Sequence, residues 1–110
     1  MLAHIPDLLQ GTLDLLILKS LAPAPLHGWA ISKRIQQMSS DVLTVNQGSL
    51  YPALYRLEDR AWIASKPALS PEGRRIKVYR LTAAGRRQLS HEIDAWRHFA
   101  RAIDHVVAAT

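Results

Sequence analysis

Side chains that could hold a nucleic acid recur along one short stretch, between Val45 and Ile63. They carry amide, hydroxyl, phenol and guanidinium groups, which can hydrogen-bond to base edges or hold phosphate oxygens. The five residues are Gln47, Ser49, Tyr51, Tyr55 and Arg56. The same residues could also be the solvated face of an ordinary amphipathic helix. The stretch alone leaves both interpretations open.

A helix is the element that would position these side chains. Leu50, Leu54 and Leu57 recur at i, i+4 and i+7, so they share one stripe that should face a core. Asn46 or Ser49 can cap the start of this helix. Pro52 fits if it lies near the first turn, where its missing N–H matters least.

Positive charge is concentrated directly after this stretch. The chain has a formal net charge of +5, and its basic residues cluster between positions 60 and 87. That segment contains a single acid, Glu72, and these basic residues: Arg60, Lys66, Arg74, Arg75, Lys77, Arg80, Arg86 and Arg87. Such a local excess favours a polyanionic partner, although a basic solvated surface is the alternative.

Composition limits the class of protein. With 110 residues, 48% of them hydrophobic, the chain should form one globular domain. It contains no cysteine, which excludes disulfides and thiolate metal sites. We find no membrane-length apolar run and no targeting segment, so we expect a cytoplasmic protein without a membrane partner.

Catalysis and metal binding find little support in the sequence. No glycine-rich phosphate loop and no defensible pair of carboxylates is present, so we predict no enzyme and no cofactor. His91, His98 and His105 recur every seven residues, which separates neighbours by about 10 Å along a helix. That is too far to share one ion, and we predict that all three are solvated.

Two helices are predicted before the stretch from Val45 to Ile63. The segment from Gly11 to Leu21 is apolar nearly all round and should be buried on most sides. A second helix is predicted from about Trp29 to Met38, and Ser39, Ser40 and Asp41 should close it with a turn.

A β-hairpin and a long helix complete the chain. One strand should run from Ile63 to about Leu69 and the other from Arg74 to Leu81, around a turn at Ser70–Gly73. Thr82 is a good N-cap for a final helix over about 83–108.

The order of these elements predicts an α+β fold that is mostly α: a winged helix-turn-helix with a long C-terminal helix. The second and third helices form the helix-turn-helix, and the basic hairpin after them is the wing. We divide the chain into a DNA-binding domain, 1–81, and a dimerisation helix, 82–110.

The final helix carries a heptad seam. Its apolar residues alternate in steps of four and three, and Phe99 and Val106 widen the seam on one flank. The seam consists of Leu89, Ile93, Trp96, Ala100, Ile103 and Val107. A second copy of the chain is the natural cover, so we predict a homodimer. The helix could instead fold back on the first helix, and both arrangements can hold together.

The chain resembles the PadR family of transcriptional regulators over nearly all of its length. The resemblance rests on the motifs at 9–13, at 27–31, at 48–58 with its Leu50-Tyr51-Pro52, and at 79–85. The short final helix is similar to that of the small members, which lack an extra C-terminal domain. The residues at 8–14 resemble the branch common in acidobacteria.

Functional expectations follow from this resemblance. It implies a bacterial regulator, usually a repressor, that binds inverted repeats in double-stranded DNA as a homodimer. Ser49, Tyr51 and Arg56 fall on the recognition helix, although Tyr51 could pack inward with Leu54. Gly48 and Pro52 are expected to shape the backbone. The wing cations implied are Arg74, Arg75 and Lys77.

The resemblance also implies that some members release DNA when they bind an aromatic or drug-like effector. Trp96 is the candidate for stacking on such a ligand, with Phe99 and Ile103 as its neighbours. The alternative is that Trp96 only fills a subunit interface.

Two positions depart from the family pattern. Ala61 stands where glycine is usual, so the end of the recognition helix is expected to differ. Trp29 replaces a tyrosine, which keeps an aromatic plug and loses a hydroxyl. A competing interpretation of the whole chain is a winged-helix adaptor for protein contacts, which would tolerate replacement of Arg74 and Arg75.

Overall fold

The computed structural model describes residues 5–110, with side chains described from Thr12 onward. Residues 1–4 of the predicted DNA-binding domain, and the side chains of the family-like motif residues 8–11, lie outside this description. Within the described residues, four helices and three strands follow one another in the order α1, β1, α2, α3, β2, β3, α4. Their bounds are Ile5–Leu21, Leu26–His27, Gly28–Met38, Gln47–Asp59, Ile63–Leu69, Arg75–Leu81 and Ala83–Ala108.

One core lies between the first three helices and the sheet. Its residues are apolar side chains spaced to face inward on each element. The fully buried ones include Ile17, Leu18, Leu21, Ile31, Leu50, Leu54, Leu57 and Ile63. The predicted burial of α1 and the inward stripe of α3 are therefore confirmed.

The sheet has one strand more than the predicted hairpin. Strands β2 and β3 pair antiparallel from Ile63↔Leu81 to Leu69↔Arg75, as the hairpin requires. Strand β1 pairs with the other edge of β3, with Leu26 opposite Tyr79. A two-residue strand has too little alternation to be visible in a sequence, and its pairing depends on long-range folding.

The turn between α2 and α3 is built by local polar contacts. Ser40 and Asp41 both have positive φ, 53° and 66°, and so reverse the chain within two residues. The Ser39 hydroxyl oxygen accepts the N–H of Leu43 at 2.9 Å. This confirms the predicted turn.

Helix α4 leaves the core after about three turns. Leu89 is buried and Ile93 packs against the core, but every residue beyond Ala100 is exposed. The molecule is consequently elongated, with extents of 58 × 31 × 21 Å. Within residues 5–110, no helix is both long enough and apolar enough to cross a membrane.

Candidate nucleic-acid interface

The outward face of α3 is formed by small, flat or aromatic residues. The Asn46 side chain caps the helix by accepting the N–H of Ser49 at 2.8 Å, which settles the choice between the two predicted caps. Helical spacing places Gly48, Pro52 and Tyr55 opposite the buried stripe. Tyr55 is 78% exposed, so its phenol is fully available for contact.

Pro52 lies deeper in the helix than expected. It is the sixth residue of α3 and therefore sits in the second turn rather than the first. Having no N–H, it cannot donate to the carbonyl of Gly48, one turn earlier. The helix tolerates this because both residues are exposed, where water can satisfy the carbonyl.

Arg56 lies on the flank of α3 that faces α1. Its guanidinium forms an ion pair with the carboxylate of Asp14, a contact that the sequence pattern does not indicate. The two residues are 42 positions apart, and only the packing of α1 against α3 brings them together. Ser49 lies on the same flank and is exposed. The charge of Arg56 is thus balanced within the chain.

Tyr51 lies on the opposite flank, against the start of α2. A Cβ at Gly28 would lie 2.7 Å from the Tyr51 hydroxyl oxygen, so the phenol rests directly on a glycine that leaves it room. Tyr51 is 44% exposed and therefore does not join Leu54 in the core. The ring bridges α3 and α2 while keeping one face open.

A cleft of about 670 Å³, which we call the wing cleft, separates the two helices from the wing. One wall comes from the starts of α2 and α3 and the other from the β2–β3 hairpin. Its lining residues are His27, Gly28, Trp29, Gln47, Tyr51, Ser70, Glu72, Arg74, Arg75, Ile76, Lys77 and Tyr79. Three cations against one acid give the cleft a positive balance.

The strand alternation of β3 aims the wing cations. Tyr79 and Leu81 are buried, and Arg75 and Lys77 continue the same face of the strand toward the tip, where they are exposed. The loop at the tip closes with Gly73 at φ 82° and a hydrogen bond from the Ser70 N–H to the Arg74 carbonyl. All three predicted wing residues thus line the wing cleft.

A polar contact fixes the wing relative to α3. The Ser65 hydroxyl on β2 donates to the Glu58 carboxylate at 2.5 Å. Nearby, burial raises the pKa of the Tyr79 phenol above its usual 10.0, and the negative potential of Glu58 and of Tyr51 adds to the effect. The sequence holds no local signal for the Glu58–Ser65 bond, because the two residues meet only when the chain turns the corner into β2.

The end of α3 shows that Ala61 adopts the glycine-like conformation. Its φ is 62°, and the N–H of Trp62 donates to the Leu57 carbonyl at 3.1 Å, which closes the helix in the usual left-handed way. The expectation that Ala61 changes this helix end is therefore wrong. The Thr82 side chain, the confirmed N-cap of α4, donates to the Ala61 and Trp62 carbonyls and so joins the two helices.

Trp29 is an exposed residue, so the predicted aromatic plug is wrong. It is 54% exposed and lines the wing cleft. The sequence missed that the start of α2 contributes to this surface. A glycine followed by a large aromatic residue at a helix start is the one local signal that could have indicated it.

The effector candidates lie on the far half of α4, outside the wing cleft. Trp96, Phe99 and Ile103 are 44%, 56% and 43% exposed, and the rings of Trp96 and Phe99 have centroids 6.2 Å apart. The three spaced histidines are also exposed. Among the described residues, no group of three potential metal ligands converges.

Comparison with known proteins places this architecture in a family. The model of the transcriptional regulator PadR-like family matches residues 17–91. A transcriptional regulator from Mycobacterium tuberculosis is 35% identical over 94 residues, which cover 86% of this chain and 84% of that protein.

Solved structures agree with this assignment. A transcriptional regulator from Clostridium thermocellum has a TM-score of 0.82 at 26% identity, covering 90% of this chain and 96% of that one. A PadR family transcriptional regulator from Eggerthella lenta has a TM-score of 0.82 at 25% identity, covering 98% and 92%. The chain therefore belongs to the PadR-like family of transcriptional regulators, which are DNA-binding proteins rather than enzymes.

Proposed function

We propose that this protein is a sequence-specific repressor that binds an inverted-repeat operator in double-stranded DNA as a homodimer. The observation that carries the proposal is the convergence of two features on one surface. The outward face of α3 and the cationic wall of the wing cleft adjoin, as entry of α3 into a major groove would require.

Base readout is assigned to the exposed residues of α3. Gln47, Ser49, Tyr51 and Tyr55 offer amide, hydroxyl and phenol groups without any charge to be balanced. Arg56 keeps a place in the contact set, but its ion pair with Asp14 must open or be shared when DNA arrives. We therefore expect Tyr55 to contribute more to affinity than Arg56.

Phosphate binding is assigned to the wing. Arg74, Arg75 and Lys77 are exposed and line the wing cleft beside α3. Each phosphate contact that they form should release condensed counterions, so that binding weakens as salt rises.

The dimer is assigned to the far half of α4. Five large apolar side chains are exposed there, in a span of twelve residues, and a second copy would cover them. They are Trp96, Phe99, Ile103, Val106 and Val107. The division into a DNA-binding domain, 1–81, and a dimerisation helix, 82–110, is part of this proposal.

The proposal also includes an effector site on α4. Trp96 and Phe99 lie side by side on the face assigned to the dimer, and Ile103 follows Phe99 by about one turn. Two flat rings with a tilt of 48° could hold an aromatic ligand between subunits, or they could simply pack against the partner.

Binding to DNA tests the proposal. The purified protein is titrated with the duplex upstream of its own gene and with a scrambled duplex of equal length, across a salt series. A preference for the native duplex at physiological salt is expected. Equal, steeply salt-sensitive binding to both would contradict sequence-specific recognition of this duplex and leave only phosphate binding by the wing. Absence of binding at low salt would favour the adaptor interpretation.

Two further measurements test the homodimer and the wing cations separately. Sedimentation at micromolar concentration should give a dimer, and a monomer there would remove the homodimer. Replacing Arg74 and Arg75 together with alanine should weaken DNA binding, whereas the adaptor interpretation expects no functional change. The matched control is Arg101→Ala, which removes the same kind of charge from the exposed end of α4.

A further inference from the structure

We propose that Trp29, at the start of α2, is a third element of the DNA interface and binds the sugar–phosphate backbone of the operator strand that occupies the wing cleft. The inference rests on the proposed DNA-binding function. It adds a residue that lies neither on the recognition helix nor on the wing.

The exposure of Trp29 is the first observation. Ile31 and Ile35 on the same helix are buried, yet Trp29 is 54% exposed. Leaving this much indole surface in water forgoes the stabilisation that burial would give. A position in the wing cleft gives the exposed side chain a partner, because the cleft brings it opposite the wing cations.

The side chain is also held in place without any ligand. The His27 ring lies against it, with centroids 6.2 Å apart and planes inclined by 33°. The Lys33 ammonium sits 5.3 Å from the centre of the indole ring. A side chain that is already ordered loses less conformational entropy on binding, so it is suited to a contact.

The two walls of the cleft have complementary chemistry. Arg75 and Lys77 form a cationic wall, and Trp29 and Tyr51 form an aromatic wall with hydrogen-bond donors. A DNA strand presents both an anionic phosphate and an apolar deoxyribose face, which match these two walls. The indole N–H is a donor only, so it is suited to a phosphate oxygen.

The test measures operator affinity in variants of Trp29. Trp29→Ala should weaken binding by about tenfold and Trp29→Phe, which keeps a ring but no donor, by about fivefold. Because the contact is neutral, neither variant should change the slope of log K against log salt. Met38→Ala is the matched control, since Met38 is 51% exposed on the same helix and does not line the cleft.

Fluorescence gives an independent readout that folding defects would not imitate. Saturating operator should protect the wild type from acrylamide quenching, and Trp29→Phe should lose that protection. Trp29→Ala binding with wild-type affinity, or full protection in Trp29→Phe, would overturn the inference. If the wild type binds no duplex, both the proposed function and this inference are contradicted. If the wild type binds its operator and the Trp29 variants bind equally well, only this inference is contradicted.

Discussion

Helices α3 and α4 have the same apolar periodicity, but the apolar stripe is buried along α3 and becomes exposed along α4. The stripe of α3 is covered by its own chain, and Leu50, Leu54 and Leu57 are at most 1% exposed. The seam of α4 is covered at Leu89 and then runs out of core, leaving Trp96 at 44% exposure. What α3 leaves outside is polar or aromatic, whereas what α4 leaves outside is largely apolar.

This difference shows how an exposed aromatic residue should be interpreted. Tyr55 shares the outward face of α3 with Gly48 and Pro52, so its exposed phenol suits a polar groove. Trp96 on α4 continues a buried apolar seam, so its exposure indicates a missing protein surface. The neighbours of each residue, rather than its exposure, distinguish a DNA contact from a subunit contact.

A charge on the exposed seam of α4 should have the greatest effect on DNA binding. Ile103→Glu places a charge on the exposed seam, so a dimer formed there should dissociate. A monomer has a single DNA-binding domain, so operator affinity should then fall by about 100-fold. Sedimentation and DNA titration measure the two effects.

The control for that change lies on the same turn of α4. His105→Glu introduces the same charge on the side of α4 away from the seam, where the residue is exposed, and should leave the dimer intact. If Ile103→Glu sediments as the wild type does, the subunit contact must lie elsewhere.

A smaller effect is expected at the wing beside α3, where one substitution separates phosphate binding from base readout. Lys77→Ala should weaken binding to operator and scrambled duplexes equally and reduce the salt slope by about 0.9 if Lys77 holds one phosphate. The control is Lys19→Ala, which removes an exposed positive charge from α1. An unchanged slope in Lys77→Ala would show that this cation does not contact DNA.

A smaller effect is expected at Ala61, where the end of α3 contacts the start of α4 through Thr82. Ala61 has φ 62°, a conformation that glycine adopts more readily, so Ala61→Gly should raise the free energy of unfolding by about 1 kcal/mol. Neither DNA affinity nor sedimentation should change, since the corner contributes to neither face. Urea denaturation measures the stability.

The converse substitution provides the control for this prediction. Gly73 at the wing tip has φ 82° with no atom near an added Cβ, so Gly73→Ala should destabilise through backbone strain alone. A decrease in stability for Ala61→Gly would show that the left-handed conformation is not strained in this protein.

The smallest effect concerns Tyr79, which lines the wing cleft, and appears only at high pH. The raised pKa of Tyr79 means that the folded protein holds the phenol proton more tightly than the unfolded chain does. The associated stability is present below the usual pKa of 10.0 and is lost as pH rises above it. Tyr79→Phe should therefore lose less stability than the wild type above that pH.

Denaturation of both proteins at several pH values checks this prediction, with measurements at neutral pH as the reference. Equal slopes above pH 10.0 would show that Tyr79 ionises without cost in the folded state.

Much of the architecture could be predicted because it depends on local periodicity and caps. The stripe of α3, the alternation of β3 and the Thr82 cap of α4 are patterns within a few residues, and all are present. The turn at Ser40 and Asp41 is likewise a property of short polar side chains that tolerate a left-handed backbone.

The features that the sequence missed all depend on distant segments meeting. The pairing of β1 with β3, the Arg56–Asp14 ion pair and the Glu58–Ser65 bond each require a packed fold before the partners are close. The exposure of Trp29 is a further example, because helical spacing does not say which neighbours will cover a side chain.

The sequence by itself therefore determined the helices, the wing, the positive charge and the apolar seam, since these follow from side-chain chemistry at short spacing. Only the tertiary structure decided how those parts face one another. Packing balanced Arg56 against Asp14, rested Tyr51 on Gly28 and opened the wing cleft beside Trp29. Contacts between distant segments form only when the core excludes water, and that cooperative step has no local signature.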